Sequence, residues 1–263
     1  MTCITLTTDF GIKDGNVGVM KGVIWSIAPG VQIADLSHLI SPQNIPEASL
    51  ILLRSAPYFP PGTIHVVVVD PGVGTNRRPM AARIGSQYFV GPDNGILTLW
   101  LERAAAQNLE TLFVHLNRPE YWLAEVSHVF HGRDIFAPAA AHLARGVPLN
   151  ELGAPFSDPV LLRLPQPLRT ESGYTGQVIH IDHFGNISTN IRQEHLGQSQ
   201  QVKVRLAGLE IEGMVKTFGE RPPGELVALY GSTGNLIISL VNGNAAQCLN
   251  IQPGDPVEVK FSS

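Results

Sequence analysis

Short apolar runs alternate with stretches of helical periodicity through the first part of the chain. CITLTTD (residues 3–9) is a β-branched run that ends on an acid and reads as a strand. NVGVMKGVIWSIAP (16–29) repeats apolar residues at helical spacing and stops at Pro29. VQIADLSHLI (31–40) reads as a strand and its exit, and IPEASLILLRSAPYF (45–59) as a helix with Pro46 in its first turn. TIHVVVVD (63–70) is the most continuous buried strand. A strand pair follows in MAARIGSQYFVG (80–91), then a helix in GILTLWLERAAAQ (95–107). HGRDIFAPAAAHLARG (131–146) is a short approach and a helix. This alternation predicts an α/β layer with a largely parallel sheet.

The pattern changes after Leu162. RLPQPLRTESG (163–173) is polar, contains proline and lacks periodicity, and reads as a linker. Beyond it come GQVIHID, NISTNI, QVKVRLAGLEIEG, ELVALYG, NLIISLVNG and DPVEVKF, short strand-like runs separated by turn signals. They predict a smaller all-β barrel or sandwich. The expected organisation is an α/β domain over 1–162, a linker over 163–173 and a β-barrel domain over 174–263.

Composition narrows the class. The 263 residues are 44% hydrophobic, ample for a sizeable core, and the formal net charge of -4 gives no reason to expect nucleic acid. Lys and Arg are scattered, so no membrane-binding patch is expected. Cys3 and Cys248 stand alone, without disulfide or metal-ligand spacing. The start MTCITLTTDF lacks a basic region followed by a long apolar stretch. A soluble cytoplasmic protein is the expectation.

Candidate chemistry gathers at strand ends. In open α/β sheets, ligands bind beyond the carboxyl ends of the strands. Asp9 in TTDFG and Asp70 in VVDPGVGTNRRP both sit there. Asp-Pro-Gly also favours a turn by itself, so Asp70 has two readings. A carboxylate leaving a buried strand needs a partner, and Arg77 or Arg78 can return to it around the glycine-rich turn. That pair is either a structural ion pair or part of a site. HVFHGRDIFAP supplies His128, His131, Arg133 and Asp134. The two histidines lack HExxH spacing and a nearby cysteine, so no metal site is expected; Arg133 and Asp134 read as a local ion pair and cap. His142 reads as surface or packing. IDHFGNISTNI packs Asp182, Phe184, Asn186 and Asn190 into one segment, either a hairpin turn or a polar clamp with an aromatic plate. YGSTGNLIISLVNGNAA carries the same two readings. The chain has no GxGxxG, Walker or GxSxG motif.

TTDFG, VVDPGVGTNRRP, FHGRDIFAP, IDHFGNISTNI and YGSTGNLIISLVNGNAA, in this order, resemble the S-adenosylmethionine hydrolase (hydroxide adenosyltransferase) family, related to the fluorinase and chlorinase enzymes. The resemblance spans nearly the whole chain. It implies an α/β domain joined to a β-barrel, and hydrolysis of S-adenosylmethionine to adenosine and methionine. It implies homotrimers with sites between subunits, and neither cofactor nor metal. Matched position by position, the set around the attacking water is Asp70, Arg77 and His131, which the halogenating relatives lack. Asp9 matches the acid on the ribose hydroxyls, with Asp14 and Asn16 close behind. Asp182 and Asn186 match positions at the methionine end. Ser232 and Asn242 lie near the adenine and methionine ends, and Phe184 and Tyr230 complete the expected substrate contacts. The chain departs from the halogenating relatives at Gln43, where they carry a tryptophan, and in IDHFGN, one residue shorter than their loop. Two alternatives accompany hydrolysis: a non-catalytic adenosine or S-adenosylmethionine binder, and halide-dependent adenosyl transfer.

Overall fold

A computed structural model of the chain describes residues 2–197 and 201–261. Met1, residues 198–200 and residues 262–263, which fall within the two predicted domains, lie outside the described residues. The chain divides into two compact units, Met1–Arg163 and Leu164–Ser263.

The first unit is built on a seven-stranded mixed sheet. Its strands are β1 (Cys3–Thr8), β2 (Gln32–Ser37), β3 (Ile64–Val68), β4 (Pro79–Ile84), β5 (Gln87–Pro92), β6 (Thr111–Leu116) and β7 (Gly153–Phe156), in the spatial order β2-β1-β3-β5-β4-β6-β7. The pairs β1–β2, β1–β3 and β3–β5 are parallel. The hairpin β4–β5 reverses direction, and β6 and β7 extend the sheet antiparallel. Neither β6 nor β7 stood out in the sequence. β7 is an edge strand carrying Pro155, which only an edge tolerates without losing a ladder bond.

Helices cover both faces. α1 (Asn16–Ile27) buries Met20 and Ile24, one turn apart, and ends before Pro29. α2 (Ile45–Ser55) is capped by Asn44, whose side chain accepts the Glu47 N–H at 3.0 Å. α3 (Thr98–Ala106) packs on α2, and α4 (Ala137–Ala144) packs on α1. The sheet therefore separates two apolar cores. Val66 and Val68 enter the one under α1 and α4, while Val67 and Val69 enter the other. That double burial explains the unbroken apolar run in TIHVVVVD.

From β1 the chain passes through α1 to β2 on one side, and α2 then returns it to β3 on the other. The carboxyl ends of β1 and β3 thus lie at the switch point where such sheets open a crevice. Thr8 pairs with Val68, so Asp9 and Asp70 leave the sheet at the same edge.

The second unit is a nearly closed antiparallel barrel of eight strands. They are β8 (Leu168–Arg169), β9 (Gly173–Ile181), β10 (Ile187–Arg192), β11 (Val202–Leu206), β12 (Leu209–Glu212), β13 (Leu226–Tyr230), β14 (Asn235–Leu240) and β15 (Pro256–Phe261). The path runs β12-β11-β15-β9-β10-β14-β13, with the two-residue β8 pairing β9. Past β12, the Val215 N–H donates to Ala228 O of β13 and helps bring the ends together. Alternation is clear: Val202, Val204 and Leu206 face the core, while Lys203 and Arg205 lie outside and pair with Glu210. Two short helices, α5 (Gln193–Leu196) and α6 (Ala245–Leu249), interrupt the strands. Among the described residues, no helix is long and apolar enough to cross a membrane.

Candidate active site

Successive turns reel the chain back after β3. The Val73 N–H donates to Asp70 O, and the Thr75 N–H and hydroxyl both donate to Gly72 O. The Thr75 hydroxyl in turn accepts the Arg77 N–H at 3.3 Å. Gly74 makes the turn possible. Its φ of +76° lies in the left-handed region, and a Cβ there would sit 2.2 Å from the carbonyl oxygen of His128. The turn thereby packs directly on the segment that carries His131.

Asp70, Arg77 and His131 come together. Arg77 grips the Asp70 carboxylate side-on: Nε donates to Oδ1 at 3.0 Å and Nη2 donates to Oδ2. The two side chains are 7% and 5% exposed. Nη2 also lies 3.0 Å from His131 Nδ1. A guanidinium can only donate, so Nδ1 accepts, and the imidazole is neutral with its proton on Nε2. Burial, then the positive charge of Arg77, push the His131 pKa below the usual histidine range; Asp70 and Asp134 pull the other way and do not prevail. Arg77 also lies over the Phe136 ring, 5.3 Å from its centroid. Its Nη1 is buried and has no hydrogen-bond partner among the described residues.

Arg78, the adjacent arginine, faces other partners. Its Nε donates to Asp93 Oδ2 at 2.9 Å, its Nη1 to Asp158 Oδ1 at 3.0 Å, and its guanidinium lies 3.9 Å from the Phe156 ring centroid. Asp93 Oδ1 accepts the Val160 N–H at 2.8 Å. Arg78 is therefore a brace for the segment around Asp158.

His131 immediately precedes a π-helical turn, Gly132–Phe136, that runs into α4. The sequence reads as an approach and a helix; periodicity does not reveal the wider turn, a feature that often marks functional sites. Asp134 pairs with Arg133 as expected, but it is fully buried and does more than a cap. Its Oδ2 accepts the Ser127 N–H at 2.8 Å and so ties down the loop ahead of His131. Burial pushes the Asp134 pKa up; the hydrogen bonds from Arg133 and Ser127 outweigh it and leave the pKa lowered. Phe10 meets Phe130 edge-to-face at 5.6 Å, which brings the loop of Asp9 beside the approach to His131. His142 packs edge-on against Tyr121.

Asp9 Oδ2 accepts the Gln43 N–H at 2.8 Å, and Gln43 itself adopts a left-handed φ of 64°. Beside Asp9, the Thr8 hydroxyl lies 2.9 Å from His38 Nδ1, and Asp35 bridges His38 Nε2 and Lys21 Nζ. Sequence reasoning missed this chain, since its members come from three separate elements. Asp14 is exposed just before α1, and Asn16 is that helix's first residue.

In the second unit, Asp182, Phe184 and Asn186 share one turn. Asp182 Oδ1 accepts the Phe184 and Asn186 N–H groups at 2.9 Å each, and Oδ2 accepts Asn186 Nδ2 at 2.7 Å. A carboxylate offers about four lone-pair sites, so one remains for an incoming donor. Phe184 is 72% exposed at the tip. Tyr230 ends β13; its hydroxyl is buried without a partner among the described residues, and burial raises its pKa. Ser232 and Asn242 are exposed on the turns flanking β14, Asn242 with φ of 55°. Asn190 has a framework role: its side chain accepts the Gln177 N–H and donates to Pro165 O. Among the described residues, no three His, Cys, Asp or Glu side chains are grouped to hold a metal ion.

Both units match models of one family. Residues 4–153 match the model of the SAM hydroxide adenosyltransferase N-terminal domain, and residues 176–258 match that of its C-terminal domain. The chain belongs to the SAM hydroxide adenosyltransferase family. Among curated members, it is 40% identical to the (R)-S-adenosyl-L-methionine hydrolase of Salinispora tropica, with 97% of each chain covered. A fluorinase from an Actinoplanes species is 30% identical, over 97% of this chain and 96% of its own. Among solved structures, a conserved protein from Thermotoga maritima superposes with a TM-score of 0.89 at 38% identity, covering 97% of this chain and 99% of that one.

Proposed function

We propose that this family member hydrolyses S-adenosyl-L-methionine to adenosine and L-methionine by attack of an oriented water on C5′. The observation that carries the reading is the single hydrogen-bonded cluster formed by Asp70, Arg77 and His131. The substrate's sulfonium is a cation that departs as a neutral thioether, so no acid and no metal is needed at sulfur. The difficulty lies with the nucleophile. Water must be held in line with the C5′–S bond, and such positioning is worth up to roughly 7–11 kcal/mol.

The cluster divides that work. His131 Nδ1 is occupied by Arg77, so the imidazole offers Nε2–H as a donor to the water oxygen and is not the base. The Asp70 carboxylate accepts the water proton. The O–C5′ bond forms as the C5′–S bond breaks, and the bond pair leaves with sulfur. General-base help of this kind contributes about 10²–10⁴-fold. Asp9, Asp14 and Asn16 hold the ribose side. Asp182 and Asn186 meet the methionine end, with Phe184, Tyr230, Ser232 and Asn242 as further contacts. The same reading makes the protein a cytoplasmic homotrimer with sites shared between neighbouring subunits. Exposed Ile12, Leu39 and Phe184 are apolar groups available for such contacts.

The test is incubation with S-adenosyl-L-methionine in oxygen-18 water. Adenosine labelled at its 5′ oxygen, together with methionine, is expected, and it persists with chelator present. Unchanged substrate would favour a binder. A 5′-halo product on adding chloride or fluoride would favour adenosyl transfer to halide.

A further inference from the structure

A cavity of about 830 Å³ lies within the first unit, and Arg77 and His131 form part of its wall. Asn117, His115, Trp122 and Val126 also line it. Asp9, Asp14 and Asn16, the groups assigned to the ribose side, are not on its wall. Three observations bear on what it holds.

First, its charges are already balanced. Arg77 is paired with Asp70, and Arg78 with Asp93 and Asp158. No free cation remains at these two positions to draw in an anion. His115, also on the wall, has its pKa lowered by burial and by the charge of Arg78, which disfavours a further positive charge there. Second, two of the lining residues, Arg77 and Trp122, carry buried N–H groups, Nη1 and Nε1, without a partner among the described residues. Buried donors of this kind are ordinarily satisfied by ordered water. Third, at about 30 Å³ per molecule the space has room for a cluster of waters, and the binding measurement below separates this from a pocket for substrate. A substrate seated for in-line attack blocks the approach on its own side of C5′. The nucleophile reaches C5′ from the side opposite sulfur, which the hydrolytic reading gives to the Asp70–Arg77–His131 cluster, and Arg77 and His131 of that cluster also face this cavity.

We infer that this cavity is the rear entrance through which water reaches the cluster while substrate occupies the front. The inference rests on the hydrolytic reading. It predicts that the mouth of the cavity controls turnover without controlling substrate affinity. Val126 is 37% exposed on the wall and has no part in the cluster's hydrogen bonds, so it is the place to put a plug.

The experiment measures kcat, KM and equilibrium substrate binding for Val126→Trp, with Val160→Trp as a second plug and Val126→Ala as an open control. Expected are a kcat lowered on the order of tenfold with KM and binding unchanged in at least one well-folded plug, and wild-type behaviour in Val126→Ala. A KM that rises while kcat holds would make the cavity the substrate pocket and overturn the inference. Folded plugs with wild-type kcat would overturn it too. A wild type that releases no adenosine sinks the hydrolytic reading itself; an active wild type with indifferent plugs sinks only the rear entrance.

Discussion

Removing one member of the Asp70–Arg77 pair should affect stability and turnover differently from removing both. The side chains are 5% and 7% exposed, so each is withdrawn from water and balanced by the other. In Arg77→Met the Asp70 carboxylate stays behind, buried and unpaired. Breaking a buried pair from one side costs about 3–5 kcal/mol. For a unit of this length, each kcal/mol lowers the melting temperature by roughly 2–4 °C, so a fall of about 6–20 °C is expected. In Asp70→Leu/Arg77→Met both charges go, and apolar groups of similar bulk fill the space. Most of that stability should return, giving a coupling term of about 2 kcal/mol or more between the two changes. Turnover should not return, because the water has lost both its acceptor and the group that fixes the His131 tautomer; the loss should be about 10²–10⁴-fold in single and double variants alike. Thermal unfolding and chromatographic release of adenosine give the two readouts. An Arg77→Met protein that melts within 2 °C of wild type, or a double variant that regains activity, would refute this account of the pair.

Three further outcomes follow from neighbouring features. Gly74→Ala forces a side chain into a left-handed φ, at about 1–2 kcal/mol, and pushes it onto the His128 carbonyl; lowered stability and displaced His131 should together depress kcat, and a fully active variant would show that the turn does not position the cluster. Arg78→Ala should destabilise by about 1–3 kcal/mol through the acceptors it abandons, yet cost less turnover than Arg77→Ala; the reverse order of activities would exchange their roles. Fully buried His65 has its pKa lowered to about 4 by burial, so the unfolded chain binds the proton first as pH falls below about 6.5. Stability should then drop by roughly 3 kcal/mol between pH 7 and pH 4 from this group, and denaturant melts of His65→Leu should show a shallower slope.

Much of this architecture was legible in the chain. The valine run of β3 announced a buried strand, and the short strand-like runs between turn signals after Leu162 announced an all-β unit. The Asp-Pro-Gly turn announced that a carboxylate and an arginine would meet, although spacing alone left two arginines to choose from. Three-dimensional packing made the choice, since Phe136 and His131 surround one guanidinium while Asp93, Asp158 and Phe156 surround the other. β6 and β7 were not legible. TLFVHL is short and follows a helix without a turn glycine, and GAPF carries a proline at the sheet edge. Nor was the hidden part of Asp134, whose partner Ser127 lies seven residues back along an irregular loop. For Asp182 and Asn186 the residues predicted the turn, and the turn is what their hydrogen bonds build; the substrate contact proposed for them comes from the family resemblance alone.

The wide turn at Gly132–Phe136 gives the helix ahead of α4 one more residue than a regular coil would spend on the same rise. Shortening the chain by one position there would let the coil relax into ordinary register. Everything upstream would then swing by about 100° around the helix axis. His131 would be carried away from Arg77, while residues 137–144 kept their seats against α1. Chain length at this one place is thus a latch on the active geometry, and it can be released without altering any side chain that takes part.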